Sequence, residues 1–453
     1  LARLFGTDGI RALANGDLLT PELAMAGARA AAVVFTHGRV AKRRQVLGKR
    51  PVAIVARDPR ISGDFLVAAI SAGLASSGVD VLDAGVIPTP AVAFLVKNAN
   101  ADFGFMISAS HNPGYDNGVK IFAHGGVKLP DVVEDRIEYF LDKQKLSPIG
   151  SKVGRITRFV DAEDRYQMHL LSTLFTRIDG VKVVIDCANG AASGVSPDVF
   201  KSAGAAVKVI CADPNGVNIN DGVGSAYPER LRAEVIRNSA TLGLAFDGDA
   251  DRCIAVDSNG NTVDGDQIMA ILARSMQQRG TLRNKTLVTT IMSNIGLDRA
   301  MKKLGINLKR TQVGDRYVIE AMTQGGFNIG GEQSGHIILS DYSTAGDGIL
   351  AGLHLCAEII RTGKSLTDLA SIMEIVPQVT ANIETDDPTT LLNNKKIRHE
   401  ISRIEKSLKG RVVIRPSGTE PLIRIMVEDL NPEKAERACS HLADFFKQEI
   451  QKS

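Results

Sequence analysis

"PVAIVARD" (residues 51–58) is an unbroken apolar run rich in β-branched side chains. A run of this kind reads as a strand covered on both faces, as in a parallel sheet. The pattern continues outward from it. Helical spacing follows over residues 65–74, then "VDVLDAG" (79–85) reads as a strand, Pro88-Thr89-Pro90 opens a helix, and "ADFGFMISA" (101–109) reads as a third strand. Strand–helix–strand alternation with short turns predicts parallel strands joined by right-handed crossovers.

The same plan recurs twice. "VKVVIDCANG", a helix containing residues 197–203, "AAVKVICAD", a helix over 228–238 and "LGLAFDGD" form the second unit. "KTLVTTIM", a helix over 295–304, "NLKRTQV", a helix over 316–324 and "NIGGEQSGH" form the third. After about residue 375 the character changes. "VTANIETD" and "RVVIRPSGTEPLIRIMVED" alternate apolar and polar residues as half-buried strands, with amphipathic helices expected over 391–408 and 432–451. The expected fold is α/β: three similar domains with mixed or parallel sheets, then a smaller C-terminal α+β domain. The expected boundaries are 1–152, 153–256, 257–370 and 371–453.

At roughly 100–200 residues per domain, 453 residues suit three or four domains. A net charge of +3 offers no concentrated basic face, which argues against nucleic acid and anionic membrane as partners. The local basic run over 39–50 is interrupted by Gln and Gly and reads as a solvated loop. Five scattered cysteines without a C-x-x-C pair suit a reducing compartment. The apolar stretch 24–35 is too short to span a bilayer and carries Arg29. With no signal-peptide pattern at the start, a cytoplasmic protein is expected.

Four loops carry the chemistry. "ISASHNPGYDNGVK" (107–120) crowds Ser110, His111, Asn112 and Lys120 into one segment, and His-Asn-Pro-Gly is equally good turn chemistry. "DGDADR" (247–252) places Asp247, Asp249 and Asp251 at alternate positions on a turn, where their oxygens can meet a hard cation such as Mg²⁺. Arg252 stands where an EF-hand loop needs Gly, so that site is excluded. Without a cation, three neighbouring carboxylates would repel one another or form a solvated acidic turn. "RPSGTEP" (415–421) offers Ser417, Gly418 and Thr419 between the guanidinium forks of Arg415 and Arg424, a way to hold a phosphate or simply a hairpin turn. "GGEQSGH" (330–336) adds Glu332 and Ser334, able to bond vicinal hydroxyls, and His336. "FGTDGIR" (5–11) adds Thr7 and Arg11.

Taken in order, FGTDGIR, S-x-S-H-N-P, DGDADR, GE-x-SGH and RPSGTEP resemble the α-D-phosphohexomutase superfamily over essentially the whole chain. "DNGVK", "RTQVGDRYV" and "GGEQSGH" are most similar to its amino-sugar branch, and Gln333 leans the same way. Ala12 stands where many members have Gly, away from every proposed ligand group. The resemblance implies four domains around a central cleft and a phosphoserine at Ser110. It also implies one Mg²⁺ per chain, bound by Asp247, Asp249, Asp251 and an oxygen of that phosphoserine. The implied reaction interconverts glucosamine 6-phosphate and glucosamine 1-phosphate through a bound glucosamine 1,6-bisphosphate, feeding UDP-N-acetylglucosamine and cell-wall synthesis.

In that reading Arg11 and Lys120 lie beside the transferring group, and Lys120 or His336 is the base. Glu332 and Ser334 grip the sugar; Arg415, Ser417, Gly418, Thr419 and Arg424 hold the idle phosphate. The partner is a small sugar phosphate, and the chain is a monomer or homodimer. The rivals are glucose or mannose phosphates as substrate, a metal-dependent phosphatase with Asp247 as nucleophile, and a non-catalytic sugar-phosphate sensor.

Overall fold

The computed structural model describes residues 4–6, 9–36, 46, 48–143, 146–385, 387–416 and 422–451. The first sheet combines β1 (Ile10–Leu13), β2 (Val52–Arg57), β3 (Asp80–Val86), β4 (Phe103–Ile107), β5 (Asp116–Ala123), β6 (Val127–Lys128) and β7 (Ile156–Arg158), in the order β1-β5-β4-β2-β3-β7 with β6 beside β5. The second runs β12-β11-β10-β8-β9, from β8 (Lys182–Asp186), β9 (Ala206–Ile210), β10 (Leu242–Phe246), β11 (Cys253–Asp257) and β12 (Thr262–Val263). The third runs β14-β13-β15-β16, from β13 (Thr286–Thr290), β14 (Asn307–Thr311), β15 (Ile329–Gly331) and β16 (Ile337–Leu339).

These three sheets share one plan. The first parallel strand of each unit lies between the second and third, as in β3-β2-β4, β9-β8-β10 and β14-β13-β15. The chain then returns antiparallel beside the third strand, as β5, β11 or β16. Alternation of strands and helices predicts the parallel triplet, while the return strand follows a loop without a helix and makes each sheet mixed. The β4–β5, β10–β11 and β15–β16 connections therefore occupy equivalent positions. Each leaves the carboxyl end of a parallel strand, where open α/β sheets gather their ligands.

The last sheet is antiparallel, β17 (Gln378–Glu384), β19 (Leu422–Glu428) and β18 (Arg411–Pro416), with β19 in the middle. The helix Pro432–Ile450 packs on it through Ala435, Leu442 and Phe446. The expected helix over 391–408 is two helices, Pro388–Asn393 and Lys395–Ser407. Asn394 separates them: its backbone is extended and its side chain accepts from the Lys396 N–H, so it caps the second helix instead of continuing the first. The helix containing Pro197 begins earlier than a Pro-first reading suggests, at Ala192, because Val195 and Val199 pack into the core.

The three α/β units share one continuous apolar core, from Ile54 and the helix Thr89–Asn98 through Phe200 and Phe246 to Leu353 and Met373. The last unit has its own core around Ile397, Ile425 and Phe446. It meets the third through polar contacts: Asn294 Nδ2 donates to Val376 O at 2.8 Å, and Glu428 Oε1 accepts the Ile295 N–H at 3.0 Å. Among the described residues no helix is long and apolar enough to cross a membrane.

Candidate active site

Ser110 ends the first parallel triplet. Its φ is +52°, a left-handed conformation that a side chain adopts only when its surroundings impose it. Its Oγ is buried and donates to Asp247 Oδ2 at 2.6 Å. The serine loop thus meets the acidic loop of the second unit across the interface between the two sheets. Gly248 permits that approach, because a Cβ there would stand 2.7 Å from Ser110 O.

Asp247, Asp249 and Asp251 are all buried and can bring one oxygen each within 4.8 Å of one another. Lys120 Nζ lies 2.8 Å from Asp249 Oδ2 and 3.2 Å from Asp251 Oδ2, and Thr89 Oγ1 also donates to Asp249. Burial raises the Asp247 carboxyl well above the usual carboxylate range, and the Asp251 and Asp249 charges add to it. Burial presses Asp251 the same way, but Lys120 and His336 overcome it and hold Asp251 well below that range. Asp249 Oδ1 and Asp251 Oδ1 are buried without a hydrogen-bond partner. An oxygen-only donor set with Asp249 Oδ1 uncommitted fits a hard divalent cation.

His336 lies between two acids, with Nδ1 3.6 Å from Asp251 Oδ1 and Nε2 3.4 Å from Asp315 Oδ2. Burial alone would lower its pKa, yet Asp251 and Asp315 raise it to about 9. Both acids therefore favour the charged form of the ring. Gly346 packs flat against the ring, where a Cβ would come within 2.4 Å of it. Arg11 sits opposite Gly118 in the β1–β5 ladder, and its charge, with that of Arg252, bears on the neighbouring His111 ring. His111 Nδ1 lies 3.5 Å from Ser110 Oγ.

Glu332 Oε1 accepts the Gly314 N–H at 3.1 Å, and Ser334 is exposed beside it. Arg415 and Arg424 stand directly opposite each other in the β18–β19 ladder. Like charges in that position repel. Burial and then Arg424 lower the Arg415 pKa, and Glu332 opposes them, so the charges of the last unit and of the Glu332 loop act on each other. A pair of facing guanidiniums is suited to an anion that both can share. Ser417, Gly418 and Thr419, and also Thr7, lie outside the described residues.

Gln333 Nε2 donates to Asp264 Oδ2 at 3.2 Å and Gln378 Oε1 at 3.3 Å, so it ties the third unit to the root of the last. The sequence reading passed over Thr89, Arg252 and Asp315, which contact Asp249, Asp251 and His336. It also passed over Arg60 and Asn220, which hold the serine loop from behind.

Comparison with known proteins follows the same division. The chain matches phosphoglucomutase/phosphomannomutase alpha/beta/alpha domain I over residues 2–147, domain II over 164–260, domain III over 264–376 and the C-terminal domain over 381–445. It is 57% identical to the phosphoglucosamine mutase of Leifsonia xyli subsp. xyli, over 99% of this chain and 100% of that one. It is also 57% identical to that of Paenarthrobacter aurescens, over 99% and 98%. A phosphoglucomutase/phosphomannomutase family protein of known structure from Burkholderia thailandensis superposes with a TM-score of 0.79 at 22% identity, covering 98% of each chain.

Proposed function

The chain belongs to the phosphoglucomutase/phosphomannomutase family of α-D-phosphohexomutases, and we propose that within it the protein interconverts glucosamine 6-phosphate and glucosamine 1-phosphate. The observation that carries this reading is Ser110, buried and 2.6 Å from Asp247 in a cluster of three carboxylates. A serine placed there suits a phosphoryl carrier. The amino-sugar substrate comes from the full-length identity to phosphoglucosamine mutases. The proposed domains are 1–152, 153–256, 257–370 and 371–453, with strands Ile156–Arg158 and Thr262–Val263 reaching across the first two boundaries.

In the working enzyme Ser110 carries a phosphate. Its Oγ–P bond breaks as a P–O bond forms to the free hydroxyl of the substrate, giving glucosamine 1,6-bisphosphate. The intermediate reverses in the cleft, and Ser110 Oγ takes the other phosphoryl. Asp247, Asp249 and Asp251, with an oxygen of the phosphoserine, would hold one Mg²⁺, which neutralises charge on the transferring group. Arg11 and Lys120 share that neutralisation. The hydroxyl proton passes to a base, for which Lys120 and His336 are the candidates, and the same group returns a proton to the leaving oxygen in the second transfer. Glu332 and Ser334 hold sugar hydroxyls, while Arg415 and Arg424, with Ser417, Gly418 and Thr419, anchor the phosphate that is not reacting.

A cytoplasmic location, feeding UDP-N-acetylglucosamine and cell-wall synthesis, belongs to the same proposal. Its test is a side-by-side assay of glucosamine, glucose and mannose 6-phosphates with Mg²⁺ and the matching bisphosphate. Preference for glucosamine is expected. A preference for glucose or mannose would move the protein to another branch, and release of inorganic phosphate alone would make it a phosphatase.

A further inference from the structure

The loop that carries Ser110 is fastened from two sides by groups that take no part in the proposed chemistry. Arg60 is completely buried, and its guanidinium faces four backbone carbonyls of that loop. Nη2 donates to Ser110 O at 2.9 Å and Asn112 O at 2.8 Å; Nη1 donates to Asp116 O at 3.0 Å and to Pro113 O. Nε pairs with Asp58 Oδ2 at 2.9 Å. Asp58 also accepts from Ser108 Oγ at 2.6 Å, and Ser108 Oγ accepts the Ser110 N–H at 2.9 Å. From the second unit, Asn220 Nδ2 donates to the same two carbonyls, Ser110 O at 2.9 Å and Asn112 O at 3.0 Å.

A buried ion pair returns little net stability, since desolvation of both charges offsets their attraction. Stability therefore gives no sufficient reason for a guanidinium at this place. Its donor geometry does. Five N–H bonds in a rigid fork fix the path of a short loop as no ammonium can. The residue so held is the one with a left-handed backbone, in a conformation that needs its surroundings to over-determine it.

We propose that Arg60 and Asn220 form a clamp, closed from two α/β units, that positions Ser110 for phosphoryl transfer. Both are positioning residues: they act through the carbonyls of Ser110 and Asn112 and touch no reacting atom. The proposal rests on the reading of Ser110 as the phosphoryl carrier. It also sets the register between the serine loop and the acidic loop, because Asn220 belongs to the unit that supplies Asp247.

The test uses the full-length enzyme. Asn220→Ala opens one side of the clamp and leaves the Arg60–Asp58 pair in place. Expected are a loss in kcat of about 10²-fold with KM for glucosamine 6-phosphate unchanged, and faster amide hydrogen exchange confined to residues 110–116. Arg60→Lys keeps the charge and loses the fork, so it should repeat both effects; Asn220→Asp, which lacks the donor, should not restore activity. An unchanged kcat in folded Asn220→Ala, or faster exchange spread over the whole first sheet, overturns the clamp. The two failures are distinguishable. If wild type shows no mutase turnover but Asn220→Ala speeds exchange only in the loop, the two residues hold the loop but the mutase reading falls, and the clamp's role in transfer falls with it. If wild type turns over and the loop exchanges as before in the variant, the mutase reading stands and the clamp falls.

Discussion

The serine–acid centre and the arginine pair of the last unit are both built from charged groups, yet they are held in opposite ways. Ser110, Lys120, Asp247, Asp249 and Asp251 are buried at the meeting of two sheets that share one apolar core with the third. Arg415 is half-buried on a three-stranded sheet with a core of its own, joined to the rest by hydrogen bonds. Where a bond is made and broken, atoms must be fixed before the substrate arrives. At the arginine pair, where the proposal places the unreacting phosphate, two orientations of one intermediate must be accepted. Rigid burial suits the first task, and a separately cored unit on a polar junction suits the second.

The largest effect that would sharpen this contrast is Ser110→Ala. It should remove roughly 10⁴-fold or more of the activity, and the phosphate mass increment of the native protein should map to Ser110 and vanish in the variant. An increment elsewhere would break the contrast at its centre. Chelation comes next. EDTA should abolish turnover, and Mg²⁺ should raise the thermal midpoint of wild type but not of Asp249→Asn; ligand at a hundredfold its Kd stabilises by about 2.7 kcal/mol. Arg415→Ala should instead raise KM with kcat nearly kept, a loss of about 1.5–3 kcal/mol for a charge-assisted hydrogen bond. Because Arg415 faces Arg424, its removal should cost no thermal stability. A fall in kcat without a change in KM would place this loop with the chemistry.

The smallest effect is in acid. His354 lies in the shared core, Nε2 3.1 Å from Thr173 Oγ1, and burial, with Arg279, lowers its pKa from 6.5 to about 4. The unfolded chain takes up that proton first, so stability is lost as pH falls from 6.5 to about 4. In the last unit, Arg403 and His441 bonded to Glu400 lower its pKa from 4.5 to about 2, so its contribution is lost progressively as pH falls from 4.5 to about 2. The His354 contribution should therefore begin to be lost at higher pH than that of Glu400. His354→Gln should flatten the pH dependence by up to about 3 kcal/mol over the His354 window, as followed by denaturant titration at several pH values.

What the sequence reveals of this arrangement follows from distance along the chain. The three aspartates share one turn, and Arg415 and Arg424 flank one hairpin, so short spacing is enough to read them. Arg60 and Asn220 act on Ser110 from 50 and 110 residues away, and no local pattern joins them. The same distance hides the tie that Gln333 makes to Asp264 and Gln378. The parallel strands show in their apolar runs. The return strands β5, β11 and β16 are hidden because each follows a functional loop and no helix announces it.

The shared core has a consequence for how the protein is made. The helix Thr89–Asn98 turns Ala91, Val92, Leu95 and Val96 inward, against residues such as Tyr166 and Leu170 that come later in the chain. On the ribosome the first unit therefore emerges with an apolar face that stays uncovered until those residues follow, an invitation to aggregation or chaperone capture. The last unit, with its separate core, can close by itself once translated. Ser110 is thus synthesised early, yet the body around it is sealed only when the core residues up to Met373 have been made.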